Sequence, residues 1–155
     1  MKIGQGFDVH RMAPGLPLII GGVNVPFHKG LVGHSDADVL LHAICDSLLG
    51  AAGLRDIGYH FPNNDESFSG MSSRKMLIDV KNKVINAGHQ IGNIDCTVIA
   101  EEPKLSSFIP IMAQNIAEDL GLDLGQVNVK AKTSERLGCL GRGEGIAAEA
   151  ICLII

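Results

Sequence analysis

An aspartate and a histidine stand two residues apart in an apolar stretch near the start of the chain, Gly6-Phe7-Asp8-Val9-His10. The apolar neighbours favour an extended strand over a loop. Because side chains alternate along a strand, Asp8 and His10 would lie on the same face. Such a pair offers two of the ligands that a divalent metal needs, although the same spacing also occurs in ordinary surface and structural pairs.

His42 is the candidate for a third metal ligand. It follows Ser35 and Asp38, which are spaced like a capping box and predict a helix that begins just before His42. Two imidazoles and a carboxylate suit zinc, which would bind them at three tetrahedral positions and leave the fourth for substrate. Iron, cobalt and manganese accept the same ligands, so the residues alone leave the metal open.

Asp38, His42 and Asp46 form a polar stripe along this predicted helix, because they follow one another at intervals of four residues. The rest of the helix surface is mostly apolar. The stripe therefore either faces water or faces the strand that carries Asp8 and His10 across a metal. In the second case Asp46 would lie just outside the metal ligands.

Charge and hydropathy limit the classes of function. The chain has 155 residues, the length of one domain (1–155), with 46% hydrophobic residues, 19% charged residues and a net charge of −4. It contains no apolar run long enough to span a bilayer and no basic face for nucleic acid. The positive mean hydropathy and the scarcity of charge predict an oligomer that covers apolar surface. The absence of a signal peptide predicts a cytoplasmic protein, or an organellar one after removal of a transit peptide.

The apolar patterns predict an α/β fold in which strands and helices are interspersed. We expect a first strand that ends near Arg11, strands over 18–23, 91–100, 126–132 and 146–155, and helices over 38–52, 72–88 and 107–120. The first two strands would pair as a hairpin. Residues 28–36 and 54–65 show no period and predict loops, the first of which would deliver His34 and Ser35 to a helix N-terminus that favours anions.

A second informative stretch runs from Lys130 to Gly145 and combines hydroxyls, cations, a carboxylate and four glycines. Glycines let backbone N–H groups approach a phosphate, Thr and Arg donate to oxygens, and Glu can hold a hard cation. The stretch does not match a known nucleotide loop. A phosphate-and-metal site and a simple glycine-rich hairpin both remain open from these residues.

Several long motifs together carry a resemblance to one family. They are GxGFDVH at 4–10, GHSDADVxLHAxxDSLLGAAGLxDIG at 33–58, FPNND at 61–65, EEPK at 101–104, and VNVKAKTSE followed by GRGEGIAAEA near the C-terminus. In these motifs and their order the chain closely resembles the 2-C-methyl-D-erythritol 2,4-cyclodiphosphate synthases of the non-mevalonate isoprenoid pathway.

The resemblance implies a fold, an assembly and a pair of metals. The fold would be a mixed four-stranded sheet backed by helices on one face, with an N-terminal hairpin, in a homotrimer whose sites lie between subunits. Asp8, His10 and His42 would bind Zn²⁺. Glu135 would hold an Mg²⁺ or Mn²⁺ ion on the substrate diphosphate.

The resemblance also implies the substrate contacts. His34 and Thr133 would act on the reacting phosphates, and Arg142 would contact phosphate oxygens. Asp8 and His10 would lie beside the substrate, and the methylerythritol phosphate would contact His34, Ser35, Asp56, Ile57, Gly58, Phe61, Pro62, Asn63, Asn64 and Asp65. The cytidine nucleotide would be enclosed by Ala100, Glu101, Glu102, Pro103, Lys104, Leu105, Ser106, Lys132, Thr133, Ser134 and Glu135. Cys139, where relatives often carry Phe, makes one further substrate contact doubtful.

The implied reaction is cyclisation of 4-diphosphocytidyl-2-C-methyl-D-erythritol 2-phosphate with release of CMP, a phosphorus–oxygen lyase reaction. Its nucleophile is a phosphate oxygen of the substrate, so no side-chain nucleophile is needed. A metal-dependent phosphohydrolase would use the same ligands with a metal-bound water, and a trimer that only binds isoprenoid or nucleotide ligands would tolerate loss of the metal.

Overall fold

A mixed sheet of five strands forms the frame of the structure, a computed structural model that describes residues 1–62 and 70–155. The strands lie in the order β4-β1-β7-β5-β6, and only β5 and β6 run parallel. Two short strands, β2 and β3, pair with each other outside this sheet. The strand bounds are β1 Lys2–Pro14, β2 Leu18–Ile20, β3 Val23–Val25, β4 Lys29–Leu31, β5 Ile91–Ile99, β6 Val127–Lys132 and β7 Gly145–Ile154.

Helices cover one face of the sheet, and the apolar core lies between the two layers. The longest helices pack on β1, β7 and β6 and on one another. Their bounds are α1 Val39–Ala52, α3 Ser73–Asn86 and α4 Ile109–Leu120, and the shorter helices are α2 Ile57–His60 and α5 Gly138–Gly141. Ile44, Leu48 and Leu77 are fully buried in this core. The predicted mixed sheet with helices on one face is thus confirmed, with short β4 as an additional strand beyond the expected four.

The three long helices begin and end near the residues predicted from the sequence. Gly53 ends α1 with φ 74°, and Gly121 ends α4 with φ 69°, the left-handed conformation in which glycine lacks the steric cost of other residues. Pro110 lies in the first turn of α4, where its missing N–H costs no helical hydrogen bond. Local signals were sufficient to place these helices.

Helix α1 lies unusually close to β1 because two glycines of the strand face it. A Cβ atom on Gly4 would lie 1.9 Å from the Ser47 carbonyl oxygen, and one on Gly6 would lie 2.0 Å from that of Ala43. Any larger residue would therefore push the helix away from the strand. Since Asp8 lies on the same face of β1, this close approach brings α1 within reach of it.

The predicted hairpin between the first two strands is wrong. The end of β1 pairs with β4, where Met12 lies opposite Leu31, and the segment after Leu18 folds back on itself to form β2 and β3. Gly21 and Gly22, with φ 59° and 71°, make the turn between these two short strands. The apolar run 18–23 looks like one strand in the sequence because the positive φ of the two glycines makes no break in its hydrophobicity.

The two predicted loops also contain regular structure. Residues 28–36 include β4, and 54–65 include α2, both too short to show a period in the sequence. Asn63, Asn64 and Asp65 lie outside the described residues. Within the described parts of the chain, no helix is long and apolar enough to cross a membrane.

Candidate active site

Asp8, His10 and His42 converge at one point between β1 and α1, as predicted. Oδ2 of Asp8 lies 3.0 Å from Nε2 of His10 and 2.9 Å from Nδ1 of His42, and the two ring nitrogens lie 3.1 Å apart. Among the described residues this is the group of three whose ligand atoms could hold a metal ion, all within 4.8 Å of one another. One carboxylate and two imidazoles form a donor set for a divalent metal.

Neighbouring backbone groups orient two of these ligands. Oδ1 of Asp8 accepts a hydrogen bond from Val9 N–H at 2.8 Å, which leaves Oδ2 facing the two histidines. Nδ1 of His10 lies 2.8 Å from the Val32 carbonyl oxygen and must donate to it, so its Nε2 presents a lone pair to the cluster when the ring is neutral. A cation would satisfy these converging acceptor atoms, and the residues therefore fit a metal.

The pKa values of Asp8 and His10 reflect their mutual attraction. Burial alone would raise the pKa of Asp8, but hydrogen bonds and charge from His10 and His42 outweigh it, and the pKa is well below its ordinary value. Burial opposes the charged form of His10, yet the hydrogen bond and charge of Asp8 raise its pKa above 6.5. In the metal-free protein each member of the pair thus favours the charged form of the other.

A cavity of about 270 Å³ opens in front of the three ligands. Its walls come from β1, from the loop before α1, from α2 and from α3. Lining it are Asp8, His10, Gly33, His34, Ser35, His42, Ile57, Gly58, Phe61 and Met76. Five of the predicted substrate residues therefore share one space with the metal ligands, namely His34, Ser35, Ile57, Gly58 and Phe61, whereas Asp56 and Pro62 are not among its lining residues. Met76 was not predicted as a site residue, because its helix showed only the periodicity of a structural element.

Two carboxylates hold α2 against this cavity. Asp56 caps the helix by accepting from Tyr59 N–H at 2.8 Å, and Asp46 accepts from Ile57 N–H at 2.8 Å. The pKa of Asp46 is raised by burial and by the charges of Asp56 and Asp8, against the effect of the Ile57 N–H group. Asp46 therefore links α1 to the backbone of Ile57, a contact that the sequence suggests only through the place of Asp46 on the His42 stripe.

The predicted capping pair of Ser35 and Asp38 is wrong. Helix α1 begins at Val39, and Asp38 itself is the N-cap, accepting from Leu41 N–H at 3.1 Å. The same fully buried carboxylate accepts from Gly21 and Gly22 N–H at 2.9 and 2.7 Å. The helix N-terminus that was expected to favour a substrate anion is thus already occupied by a carboxylate of the chain. This long-range contact with the β2–β3 turn was not visible in local sequence.

A second cavity of about 260 Å³ lies where β5 and β6 end. It collects most of the residues that the sequence assigned to the cytidine nucleotide: Ala100, Glu101, Pro103, Lys104, Leu105, Ser106, Lys132 and Thr133, together with Ala131. In the parallel pair Ile99 lies opposite Lys132, so the two segments leave the sheet side by side. Adjacent strand ends thus bring these residues together from two distant motifs.

The carboxylate of Glu101 fixes the turn that follows Thr133. It accepts from Ser134 N–H at 3.2 Å and from Arg136 N–H at 2.9 Å. Glu135 and Arg136 have φ 53° and 62°, a conformation that ordinary residues adopt only when their surroundings hold it. Within the turn, Thr133 Oγ1 donates to Glu135 Oε1 at 2.7 Å. Thr133, predicted to act on the reacting phosphates, and Glu135, predicted to hold a metal on the diphosphate, are therefore neighbours in space.

The remaining predicted residues lie around a third cavity or at the surface. Arg142 and Glu102 line a cavity of about 390 Å³, and Arg142 forms an ion pair with Glu144. Cys139 is exposed on α5, and Pro62 is half-buried. Within one chain His34 and Thr133 line different cavities.

Comparisons with known proteins agree with one another. The sequence model of the YgbB family matches residues 1–155. The chain is 56% identical over 154 residues to a 2-C-methyl-D-erythritol 2,4-cyclodiphosphate synthase of Nitrosomonas europaea, covering 99% of this chain and 94% of the relative.

Two solved structures show the same fold. The bifunctional IspDF of Campylobacter jejuni superposes with a TM-score of 0.95 at 43% identity, over 99% of this chain and 42% of that longer chain. The IspF of Plasmodium falciparum, solved as a CDP complex, superposes with a TM-score of 0.87 at 36% identity, over 99% of this chain and 95% of that one.

Proposed function

The chain belongs to the YgbB family, the family of the 2-C-methyl-D-erythritol 2,4-cyclodiphosphate synthases, and from this membership we propose that it is a cyclising enzyme of isoprenoid precursor biosynthesis. Its substrate is 4-diphosphocytidyl-2-C-methyl-D-erythritol 2-phosphate, and its products are 2-C-methyl-D-erythritol 2,4-cyclodiphosphate and CMP. The observation that carries the proposal is the convergence of Asp8, His10 and His42 on a cavity that also holds His34 and Ser35.

The reaction needs positioning rather than a protein nucleophile. An oxygen of the substrate's 2-phosphate attacks the β-phosphorus in line, the bond from that phosphorus to the CMP oxygen breaks, and CMP leaves with the electron pair. Holding the two phosphates in line makes this step intramolecular, which removes much of its entropic cost. The protein's remaining task is to offset the repulsion between anionic oxygens.

Asp8, His10 and His42 would hold the first metal, for which we propose zinc. When bound there, such a cation supplies Lewis-acid polarisation of the diphosphate and offsets its negative charge. The donor set fits, because the ligand atoms already converge and their backbone partners hold Asp8 and His10 in place. Glu135, which belongs to no cluster of three possible ligands among the described residues, would hold Mg²⁺ or Mn²⁺ together with substrate oxygens.

In this proposal the two cavities bind different parts of the substrate. The backbone of Ile57 and Gly58, fixed by Asp46 and Asp56, would bind the methylerythritol phosphate beside the metal ligands. The cavity of Ala100 to Ser106 and Lys132 to Thr133 would bind cytidine, in line with the CDP complex of the Plasmodium falciparum relative. His34 and Thr133 would then donate hydrogen bonds to phosphate oxygens from opposite sides.

The uncovered face of the sheet supports the proposed homotrimer. Ile3, Phe7 and Val9 point away from the helices along β1 and are 73%, 50% and 49% exposed, and Ile151 of neighbouring β7 is 52% exposed. A row of apolar side chains on an open sheet is typical of a surface that another copy covers. Because His34 and Thr133 line different cavities of one chain, a complete site would take Thr133 from a neighbouring copy.

Product identification tests the proposed function. The purified protein, supplied with zinc and magnesium, should convert the substrate to the cyclic diphosphate and CMP in equal amounts. Formation of the open 2,4-bisphosphate with CMP would show a phosphohydrolase instead. Binding of CDP without any turnover would show a protein that only binds the nucleotide.

A further inference from the structure

The imidazole of His42 uses its two nitrogens in opposite directions. Nδ1 faces the other two ligands, whereas Nε2 faces Oγ of Ser73 at 3.0 Å and Oγ of Ser35 at 3.1 Å. His42 is 5% exposed and Ser73 is fully buried, so water does not readily replace these hydroxyl partners. The position of the ring hydrogen therefore depends on the hydroxyl groups around Nε2.

Asp36 determines the direction of the hydrogen bond from Ser73. Its carboxylate accepts the Ser73 N–H at Oδ2, at 2.9 Å, and the Ser73 hydroxyl at Oδ1. An ionised carboxylate can only accept, so the hydroxyl hydrogen of Ser73 points to Asp36 and a lone pair of Oγ points to His42. Nε2 of His42 must then carry the ring hydrogen, and Nδ1 presents its lone pair to the metal position.

We propose that Asp36 and Ser73 are positioning residues of the metal centre, which orient His42 through a chain of hydrogen bonds that ends in the half-buried carboxylate of Asp36. Neither residue touches the metal position. This chain of hydrogen bonds fixes the ring plane of His42 and selects the tautomer that binds the metal through Nδ1. It also makes Nδ1 a stronger metal ligand, because negative charge lies behind the ring. Among the described residues, the partner of His10 in the corresponding place is a neutral carbonyl, that of Val32.

The same hydrogen bonds also connect the metal ligand His42 to α3. Ser73 is the first residue of this helix. The loop around Asp36 is also held to the residues just before α3, because the Asp36 N–H donates to the Met71 carbonyl at 3.3 Å. The orientation of His42 is thus set by an element that contributes no metal ligand itself. This inference rests on the metal site of the proposed function but not on the reaction assigned to it.

Zinc affinity of three variants tests the inference without any substrate. Ser73→Ala and Asp36→Asn should each weaken zinc binding by about 10- to 100-fold, the usual effect of losing such a partner, measured by competition with a chromophoric chelator. Ser35→Ala is the matched control, because it removes a hydroxyl that lies 3.1 Å from the same nitrogen, against 3.0 Å for that of Ser73. Its Oγ accepts from Ala37 N–H and shows no bond to a carboxylate among the described residues, so its effect should be clearly smaller.

The double variant distinguishes a chain from two independent effects. If Asp36 acts through Ser73, then the double variant that combines Asp36→Asn with Ser73→Ala should have the same zinc affinity as the single variant with the lower affinity. Either change alone already breaks the chain of hydrogen bonds. Additive losses, or a loss with Ser35→Ala equal to that with Ser73→Ala, would overturn the inference. If the unaltered protein itself binds no zinc, the metal assignment fails instead, and the two failures are therefore distinguishable.

A spectroscopic measurement excludes a merely structural effect. In the zinc-loaded protein with nitrogen-15-labelled histidine, the hydrogen on Nε2 of His42 should exchange slowly with water, and this protection should be lost in Ser73→Ala while the protein stays folded. Ala is a good helix former and smaller than Ser, so the fold should tolerate the change. Unchanged exchange together with unchanged zinc affinity would contradict the proposed chain.

Discussion

Nδ1 of His42 lies 2.9 Å from Oδ2 of Asp8, although the two residues are 34 positions apart in the sequence. The contact joins a helix to a strand and exists because Gly4 and Gly6 let the backbone of α1 approach β1. The site therefore depends on the packing of two elements as well as on the ligands. Several consequences can be measured.

Replacing Gly6 with Ala should damage both the fold and the metal site. The added Cβ would lie 2.0 Å from the Ala43 carbonyl oxygen, a contact that only a shift of α1 could relieve. We expect a loss of about 1–3 kcal/mol or more in the free energy of unfolding, as for other overpacked sites, together with weaker zinc binding. Urea denaturation and zinc titration measure the two effects.

Gly125→Ala is the matched control for this substitution. No described residue apart from its chain neighbours has an atom within 4 Å of the position of a Cβ on Gly125, so the same change should leave zinc binding unaltered. Wild-type stability and zinc affinity in Gly6→Ala would show that the close approach of α1 to β1 is not required.

Replacing His42 with Ala should abolish both zinc binding and turnover. The unaltered protein should contain about one zinc per chain, and the variant should contain almost none, because two ligands bind zinc far more weakly than three. Elemental analysis after gel filtration measures this, with His89→Ala, a histidine outside the cluster, as the control that keeps its zinc. Full zinc occupancy in His42→Ala would refute the ligand assignment whatever the activity.

Zinc affinity should depend on pH through His10. The pKa of His10 is above 6.5 in the metal-free protein, chiefly because the hydrogen bond and charge of Asp8 outweigh the effect of burial. Zinc must displace this proton at any pH below the raised pKa, so affinity should rise up to about tenfold per pH unit until that pKa is passed and then level off. The stability of the metal-free protein should change in the opposite sense, since the charged pair is lost as the pH rises.

Calorimetry in buffers of different ionisation enthalpy measures the protons released on zinc binding. The number released should decrease as the pH rises through the pKa of His10. A zinc affinity that does not change between about pH 6 and pH 8 would contradict this role of His10.

The sequence predicts the ligands of the metal centre because each carries a local signal. Asp8 and His10 lie two residues apart on one predicted strand, and His42 follows a recognisable helix start. The strand and helix periods therefore suggest that the three side chains can meet between a strand and a helix. The glycines that end the long helices and the proline in the first turn of α4 are local signals of the same kind. The family resemblance then groups the residues of the second cavity.

The parts that could not be predicted depend on contacts between distant segments. In the sequence Asp38 has the position of the acidic partner of Ser35 in a capping box. In the structure it is the N-cap and also binds the β2–β3 turn, which only the folded chain shows. Ser73 lies near the start of the helix predicted over 72–88, and nothing in the sequence indicates that its hydroxyl faces His42. Gly4 and Gly6 appear in the sequence only as part of the GxGFDVH motif, whereas the structure shows that they let a helix backbone approach the strand.

Mixing two inactive variants tests whether one site is shared between chains. Light scattering should report three chains, and His42→Ala mixed with Thr133→Ala should regain activity after subunit exchange. In a cyclic trimer about a quarter of the sites would then combine an intact His42 with an intact Thr133 from different copies. No recovery after verified exchange would show that the two residues act from the same chain, and an active monomer would place the site within one subunit.

In the proposed reaction a phosphate of the substrate, and not water, attacks the β-phosphorus. Turnover in oxygen-18 water, followed by mass spectrometry of both products, distinguishes these two nucleophiles. Cyclisation forms the new bond with an oxygen that the substrate already carries, so neither CMP nor the cyclic diphosphate should acquire label during turnover. One solvent oxygen per turnover in either product would contradict the cyclase assignment and show a phosphohydrolase that uses the same metal ligands.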